Sequence, residues 1–124
     1  MLSINYKDPR PIYEQVRDAL RQLILSGAIA PGEKLPSVRE LAASLAINPN
    51  TIQRSYRELE SLGLINTVPG KGAFAATDHT AAQRRTQELT DTLAAAVQEL
   101  KLLGVSRKDV LAAADAAYGK EEQA

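Results

Sequence analysis

The stretch over residues 37–52 reads SVRELAASLAINPNTI and contains two helix starts, eleven residues apart. Ser37 and Glu40 have the spacing of a capping box, in which each side chain accepts a hydrogen bond from the other residue's backbone N–H. Asn48 is a favoured N-cap residue, and Pro49 suits a first helical position because its missing N–H would be unpaired there. The stretch therefore predicts a short helix, a tight turn and a second helix.

One more helix is expected before this pair, and two short strands are expected after it. Apolar residues at helical spacing predict a first helix from about 11 to 26, with Pro11 at its first position. Residues 64–68 have the composition of a strand, 69–72 form a glycine-rich turn, and 73–76 return as a second strand. The predicted fold is mainly α: a winged helix-turn-helix of three helices and a two-stranded β wing, over residues 1–76.

The remaining residues, 77–124, are predicted to form two further helices and a polar tail. The first should run from about Thr80 to Leu103, and the second should start at the N-cap Ser106, with a disordered tail over 119–124. The two helices carry a stripe of leucines and other apolar residues at helical spacing. Such stripes most often pack against their own chain, but the preceding domain is small, so part of this stripe should bind a second copy of the chain. The predicted dimer interface consists of Leu89, Leu93, Val97, Leu100, Leu103, Val110, Leu111, Ala114 and Tyr118.

Composition excludes several classes of protein. The chain has no cysteine, which excludes disulfide scaffolds, thiolate metal sites and cysteine nucleophiles. No apolar run approaches the roughly 20 residues that a membrane helix needs, and the N-terminus lacks the apolar core of a secretory signal. The lone histidine, His79, has no acidic cluster around it. We therefore expect a cytoplasmic protein with no enzymatic activity, no metal and no cofactor.

Charge is balanced over the whole chain, with 15 basic and 15 acidic residues, but it is unevenly distributed. Residues 41–57 contain no acid, and neither do residues 61–77, so a locally positive face can exist on a neutral protein. On the helix that starts at Asn48, one face is apolar and the opposite face is polar and nearly free of acid. Such faces are commonly just solvated, but this one lies directly before a Pro-Gly-Lys-Gly hairpin.

A helix with such a face, braced by another and followed by a hairpin, suits DNA. The major groove admits one helix, arginines can contact phosphates or guanine, and asparagine and glutamine can contact adenine. The hairpin can bring backbone N–H groups and Lys71 close to phosphates. The residues that these arguments select are Asn50, Thr51, Gln53, Arg54, Arg57 and Lys71, with Gly70 and Gly72 beside it.

Five segments together resemble the DNA-binding domain of the GntR family of transcriptional regulators. They are 11–15 (PIYEQ), 27–42 (GAIAPGEKLPSVRELA), 48–52 (NPNTI), 56–60 (YRELE) and 63–65 (GLI). The NPNT sequence and the short C-terminal part look most like the YtrA subfamily, whose members dimerise through two C-terminal helices. The MocR subfamily shares the NPNT turn but carries an aminotransferase-like domain, for which this chain has no room.

The resemblance implies roles for particular residues. Arg39 matches an arginine of the family that contacts DNA, and Asn48 lies at the matching start of the recognition helix. Gly70, Lys71 and Gly72 match the tip of the wing. Many members have arginine at the positions of Pro49 and Gln53, so the base preference of those members cannot be assigned to this chain.

The resulting expectation is a repressor, associated with the bacterial nucleoid, that binds a pseudo-palindromic, double-stranded DNA operator as a homodimer. A small-molecule effector of unknown identity could occupy an apolar pocket between the C-terminal helices and the DNA-binding domain. Two alternatives remain open: a winged-helix module that binds a protein partner, and a nucleoid-type DNA binder with little sequence preference. Salt-insensitive, weak DNA binding would indicate the first, and strong binding without a sequence motif would indicate the second.

Overall fold

The computed structural model describes residues 2–119, so the predicted tail lies outside the described residues except for Gly119. The chain divides into two compact units, with the division between Arg85 and Thr86. The elements, in chain order, are α1 (Ile12–Leu25), α2 (Val38–Leu45), α3 (Pro49–Ser61), β1 (Ile65–Val68), β2 (Gly72–Ala75), α4 (Thr80–Leu102) and α5 (Arg107–Tyr118). The predicted winged helix-turn-helix followed by two helices is therefore confirmed.

Three helices and the wing enclose one apolar core in the first unit. Each helix contributes apolar side chains that recur three or four residues apart, so that they share one face. Fully buried side chains from α1, α3 and β1 lie at the centre of this core, namely Val16, Ile52, Leu59 and Ile65. This packing fixes the orientation of α3 by its apolar face and leaves its polar face outside.

The helix starts form as the sequence predicts, with one exception. Ser37 Oγ accepts from the Glu40 N–H at 3.0 Å, and Glu40 Oε1 accepts from the Ser37 N–H at 3.1 Å, completing the capping box. Asn48 Oδ1 accepts from the Asn50 N–H at 2.8 Å, with Pro49 at the first helical position. Pro11, by contrast, lies at the N-cap of α1 with an extended ψ of 149°, so α1 begins at Ile12, one residue later than predicted.

The turn between α2 and α3 contains a strained residue. Ala46 adopts the left-handed conformation, with φ 55° and ψ 45°. At the end of a helix this conformation is usually adopted by glycine. The N–H of Ile47 then bonds to the carbonyl of Ala42 at 2.9 Å, closing the end of α2. An alanine in this conformation costs about 1–2 kcal/mol.

The wing contains a third extended segment that the sequence analysis did not predict. β1 and β2 pair antiparallel, with Ile65 opposite Ala75. On the other edge of β2, the Leu35 N–H donates to the Ala73 carbonyl and the Ala75 N–H donates to the Glu33 carbonyl, both at 2.8 Å. The loop before α2 therefore attaches the wing to the helices.

Gly63 closes α3 at a point where the start of α4 approaches very closely. Its φ is +77°, and a Cβ built on it would lie 2.6 Å from the backbone nitrogen of Ala82 and 2.7 Å from the carbonyl carbon of Ala81. Only glycine fits this contact, because the left-handed backbone and the short distances both disfavour a side chain. The first turn of α4 thus packs in the first unit, which extends to Arg85.

The second unit contains the rest of α4 and all of α5. Gly104, with φ +87°, ends α4 through a Schellman pair of hydrogen bonds: its N–H bonds to Lys101, and the Val105 N–H bonds to Leu100, both at 3.0 Å. Ser106 caps α5 by accepting from the Asp109 N–H at 3.1 Å, as predicted. No side chain of α4 or α5 is fully buried within the described residues.

Candidate nucleic-acid interface

The outward face of α3 carries most of the side chains that the sequence singled out. Asn50, Gln53, Arg54 and Arg57 are exposed, and Thr51 is half-buried. The opposite face is buried, as expected from its helical spacing, and consists of Ile52, Ser55, Tyr56 and Leu59. The packing of the first unit therefore holds a continuous polar surface toward solvent.

Two polar residues of α3 form hydrogen bonds inside the first unit and do not belong to this surface. Ser55 is completely buried, and its hydroxyl donates to the backbone carbonyl of Tyr13 at 2.8 Å. The hydroxyl of Tyr56 donates to the Pro36 carbonyl at 2.7 Å, and burial raises the pKa of this phenol to about 12. Both bonds hold α3 against other parts of the first unit, so neither hydroxyl serves the outer surface.

Arg54 is held by its neighbours instead of extending freely. Its guanidinium carbon lies 3.6 Å from the centroid of the Tyr13 ring, and its Nη2 donates to the Tyr13 hydroxyl at 2.9 Å. Its Nε donates to Glu58 Oε2 at 3.4 Å. Glu58 lies one turn further along α3, so the outer face is less free of acid than the sequence analysis assumed.

Glu58 also connects α3 to α1 through Arg17. Arg17 Nη1 lies 2.8 Å from Glu58 Oε1, and its Nε lies 2.9 Å from Asp18 Oδ1. Partial burial lowers the pKa of Arg17, but the hydrogen bonds to Asp18 and Glu58 and their charges outweigh it and raise this pKa above its ordinary value. Glu58 is thus shared by two arginines, which offsets its negative charge beside Arg54.

Arg39 and Asn48 lie at the starts of the two helices that form the helix-turn-helix. Arg39 is exposed in the first turn of α2. Asn48 is exposed, and its side-chain oxygen is used by the cap of α3, which leaves its amide N–H groups as donors. Although this cap uses the Asn50 N–H, the positive end of the α3 dipole favours a phosphate near the start of the helix.

The wing presents Gly70 and Lys71 at an exposed turn, with the Lys71 N–H bonded to the Val68 carbonyl at 2.9 Å. Gly72 lies differently from the prediction: it is half-buried and begins β2. A Cβ on Gly72 would lie 3.0 Å from Cε of Lys34, so this glycine leaves room for the lysine stem. Lys34 is therefore a second cation at the wing.

The sequence analysis missed Tyr13, Arg17 and Lys34. Tyr13 and Arg17 meet α3 across 41 residues of sequence, and Lys34 reaches the wing through the unpredicted third segment. The ammonium of Lys34 also contributes to the low pKa of Glu40, after the hydrogen bonds from Ser37, which lower it most. No local pattern indicates these contacts, because each depends on how the elements pack.

Neither a metal site nor a membrane span emerges from residues 2–119. No group of three or more histidine, cysteine or acidic side chains in that range could hold a metal ion. No helix in the same range is both long and apolar enough to cross a membrane.

The sequence pattern of the bacterial regulatory proteins of the gntR family matches residues 12–75, which is more than half of the chain. The chain belongs to the GntR family. It is 37% identical over 107 residues to the uncharacterized HTH-type transcriptional regulator YhcF of Bacillus subtilis, covering 86% of this chain and 88% of that protein. It is 46% identical over 74 residues to the HTH-type transcriptional repressor YtrA of the same organism, covering 60% of this chain and 57% of that protein.

Among solved structures, this GntR-family chain is similar to AraR(DBD) in complex with operator ORX1. The TM-score is 0.56 at 31% sequence identity, covering 60% of this chain and 96% of that one. The chain is therefore a DNA-binding transcriptional regulator of YtrA-like type, which is a non-enzymatic role, and these sequence predictions are confirmed.

Proposed function

We propose that this GntR-family regulator is a repressor that binds a pseudo-palindromic operator as a homodimer. α3 lies in the major groove of each half-site, α2 crosses the backbone, and the wing contacts adjacent phosphates. The observation that carries the proposal is the outward polar face of α3, held by a buried apolar face and flanked by exposed cations at the wing. Repression is supported by the likeness to the YtrA repressor.

Each residue of the predicted set has a role in this arrangement. Arg54 and Arg57 contact guanine edges or phosphates, and Asn50 and Gln53 contact adenine edges. Arg39, Asn48 and Thr51 contact phosphates around the start of α3. Gly70, Lys71 and Gly72 contact phosphates from the wing, and Lys34 adds a positive charge there.

The dimer is supported by apolar side chains that the second unit leaves open to solvent. Leu89, Leu93, Leu103, Leu111 and Tyr118 are 45%, 60%, 78%, 57% and 70% exposed. Val97, Leu100 and Val110 are half-buried, and Ala114 is exposed. Exposed leucines at helical spacing along one side of α4 are typical of an interface, and a two-fold dimer is the commonest way to cover them.

A pair of charge substitutions on α4 tests the dimer and the operator together. Leu93→Asp places a carboxylate within the apolar stripe, whereas Gln98→Asp places the same group on the opposite side of the same helix. We expect Leu93→Asp to sediment as a monomer at micromolar concentration and to lose most of its affinity for a two-half-site duplex. Gln98→Asp should sediment and bind like the wild-type protein.

The outcome that contradicts the proposal is equally direct. If Leu93→Asp stays dimeric, or if the wild-type protein is monomeric when bound to DNA, the stripe is not the interface. Strong binding of every duplex without a preferred sequence would indicate a nucleoid-type protein instead. The small-molecule effector stays a prediction of the sequence.

A further inference from the structure

The strongest unexplained feature of the first unit is the stacking of Arg54 on Tyr13. Tyr13 lies in the first turn of α1, outside the helix-turn-helix, yet its ring and its hydroxyl both contact the guanidinium of Arg54. A planar guanidinium stacks well on an aromatic face, and the ring quadrupole attracts its charge. This contact fixes the plane and direction of a long side chain that would otherwise sample many rotamers.

Tyr13 is itself firmly placed by the fold. Its backbone carbonyl accepts from the buried Ser55 hydroxyl at 2.8 Å, and its own hydroxyl donates to Glu14 Oε1 at 3.4 Å. Ser55 belongs to α3 and is completely buried, so α1 and α3 are locked together beside the Tyr13 ring. The platform under Arg54 is therefore part of the core packing and does not depend on DNA.

The held guanidinium still has donors to offer. Arginine carries five N–H donors, and the contacts described for Arg54 use Nε and one N–H of Nη2. The outer edge, with the two donors of Nη1 and the second donor of Nη2, suits bidentate recognition of guanine O6 and N7. The side chain is 54% exposed, so this edge is accessible to DNA.

We propose that Tyr13 is a positioning residue for base recognition by Arg54, so that α1 contributes to operator specificity without being in the groove. The inference rests on the proposed function, in which α3 lies in the major groove. Because the arginine is ordered before binding, less conformational freedom is lost when it contacts a base. Substituting Tyr13 should then weaken discrimination at the base pair that Arg54 contacts and leave other positions unchanged.

The test compares base preferences obtained by enrichment and sequencing of random duplex DNA. The variants are Arg54→Ala, Tyr13→Leu, Tyr13→Phe and the double variant Tyr13→Leu/Arg54→Ala, and Tyr6→Leu, at a tyrosine that is 71% exposed, is the matched control. We expect Tyr13→Leu to reduce discrimination about three- to tenfold at the same base pair that Arg54→Ala affects, in line with the strength of a cation–π contact. Tyr13→Phe keeps the ring and should lose less, and Tyr6→Leu should match the wild type.

The double variant separates positioning from general packing. If Tyr13 acts through Arg54, the double variant discriminates no worse than Arg54→Ala alone. A uniform loss of affinity over all sequences, additive effects, or unchanged preferences in Tyr13→Leu would overturn the inference. An increase in discrimination would also overturn it, because the contact would then restrain Arg54 from binding.

Two further observations keep the outcomes distinct. If Tyr13→Leu does not fold, Tyr13→Phe still tests the contribution of the Tyr13 hydroxyl. If NMR relaxation then shows that the Arg54 Nε–H is no more mobile in Tyr13→Phe than in the wild type, positioning by Tyr13 is contradicted. If the wild-type protein enriches no motif, the proposed function fails first, which is distinguishable from a motif that is present but indifferent to Tyr13.

Discussion

Gly63→Ala should destabilise the first unit far more than Gly27→Ala, although both glycines follow a helix with a positive φ. Their φ values are +77° and +85°, so each alanine pays a left-handed strain of about 1–2 kcal/mol. Nothing lies within 4 Å of a Cβ at Gly27, whereas at Gly63 the backbone of Ala81 and Ala82 lies within 2.7 Å. Relieving such an overlap costs about 1–3 kcal/mol more.

The difference between the two variants isolates the close contact with α4. Urea unfolding followed by circular dichroism should give a free energy of unfolding that is about 1–3 kcal/mol lower for Gly63→Ala than for Gly27→Ala. In a unit of this size, each kcal/mol corresponds to roughly 4–8 °C in Tm. Equal losses in the two variants would refute the claim that the start of α4 packs against Gly63.

Three further results are expected. Ala46→Gly should raise the free energy of unfolding by about 1 kcal/mol, because glycine relieves the left-handed strain at φ 55°; a loss of stability in urea unfolding would contradict this. The pKa of Tyr56 is near 10 in the unfolded protein and about 12 in the folded protein. The contribution of the neutral phenol to the free energy of unfolding is therefore complete below pH 10 and is lost between pH 10 and 12. Wild-type stability should then fall by on the order of 2–3 kcal/mol more than that of Tyr56→Phe over this range, and parallel pH profiles would argue against it. Lys71→Ala should weaken binding to all duplexes alike and reduce the salt slope by about one, and a loss confined to particular bases would show that Lys71 contacts a base.

Local chemistry in the sequence was sufficient to predict most of the fold. The capping box at Ser37 and Glu40, the cap at Asn48 and the glycine at Gly104 each act within one helical turn, and each is found where it was expected. Helical spacing also identified the buried face of α3, because the same periodicity that buries Ile52 leaves Gln53 exposed.

The unpredicted features all depend on contacts between distant parts of the chain. Pairing of Leu35 with Ala73 makes a third extended segment from a loop that has no strand pattern. The side chain of Arg54 is held by Tyr13, 41 residues away, and by Glu58, whose contact with the outer face the sequence analysis did not predict. A helical wheel of α3 shows which side chains face out, but it cannot show which of them another helix holds.

Enrichment of random duplex DNA by the wild-type protein, followed by sequencing of the bound fraction, tests the central claim most directly. The account predicts two inverted half-sites whose centres lie about one helical turn, roughly 34 Å, or a multiple of it apart. It also predicts binding that weakens steeply as salt rises. An enriched single half-site without symmetry would contradict the homodimer, and the absence of any motif would contradict operator recognition by α3.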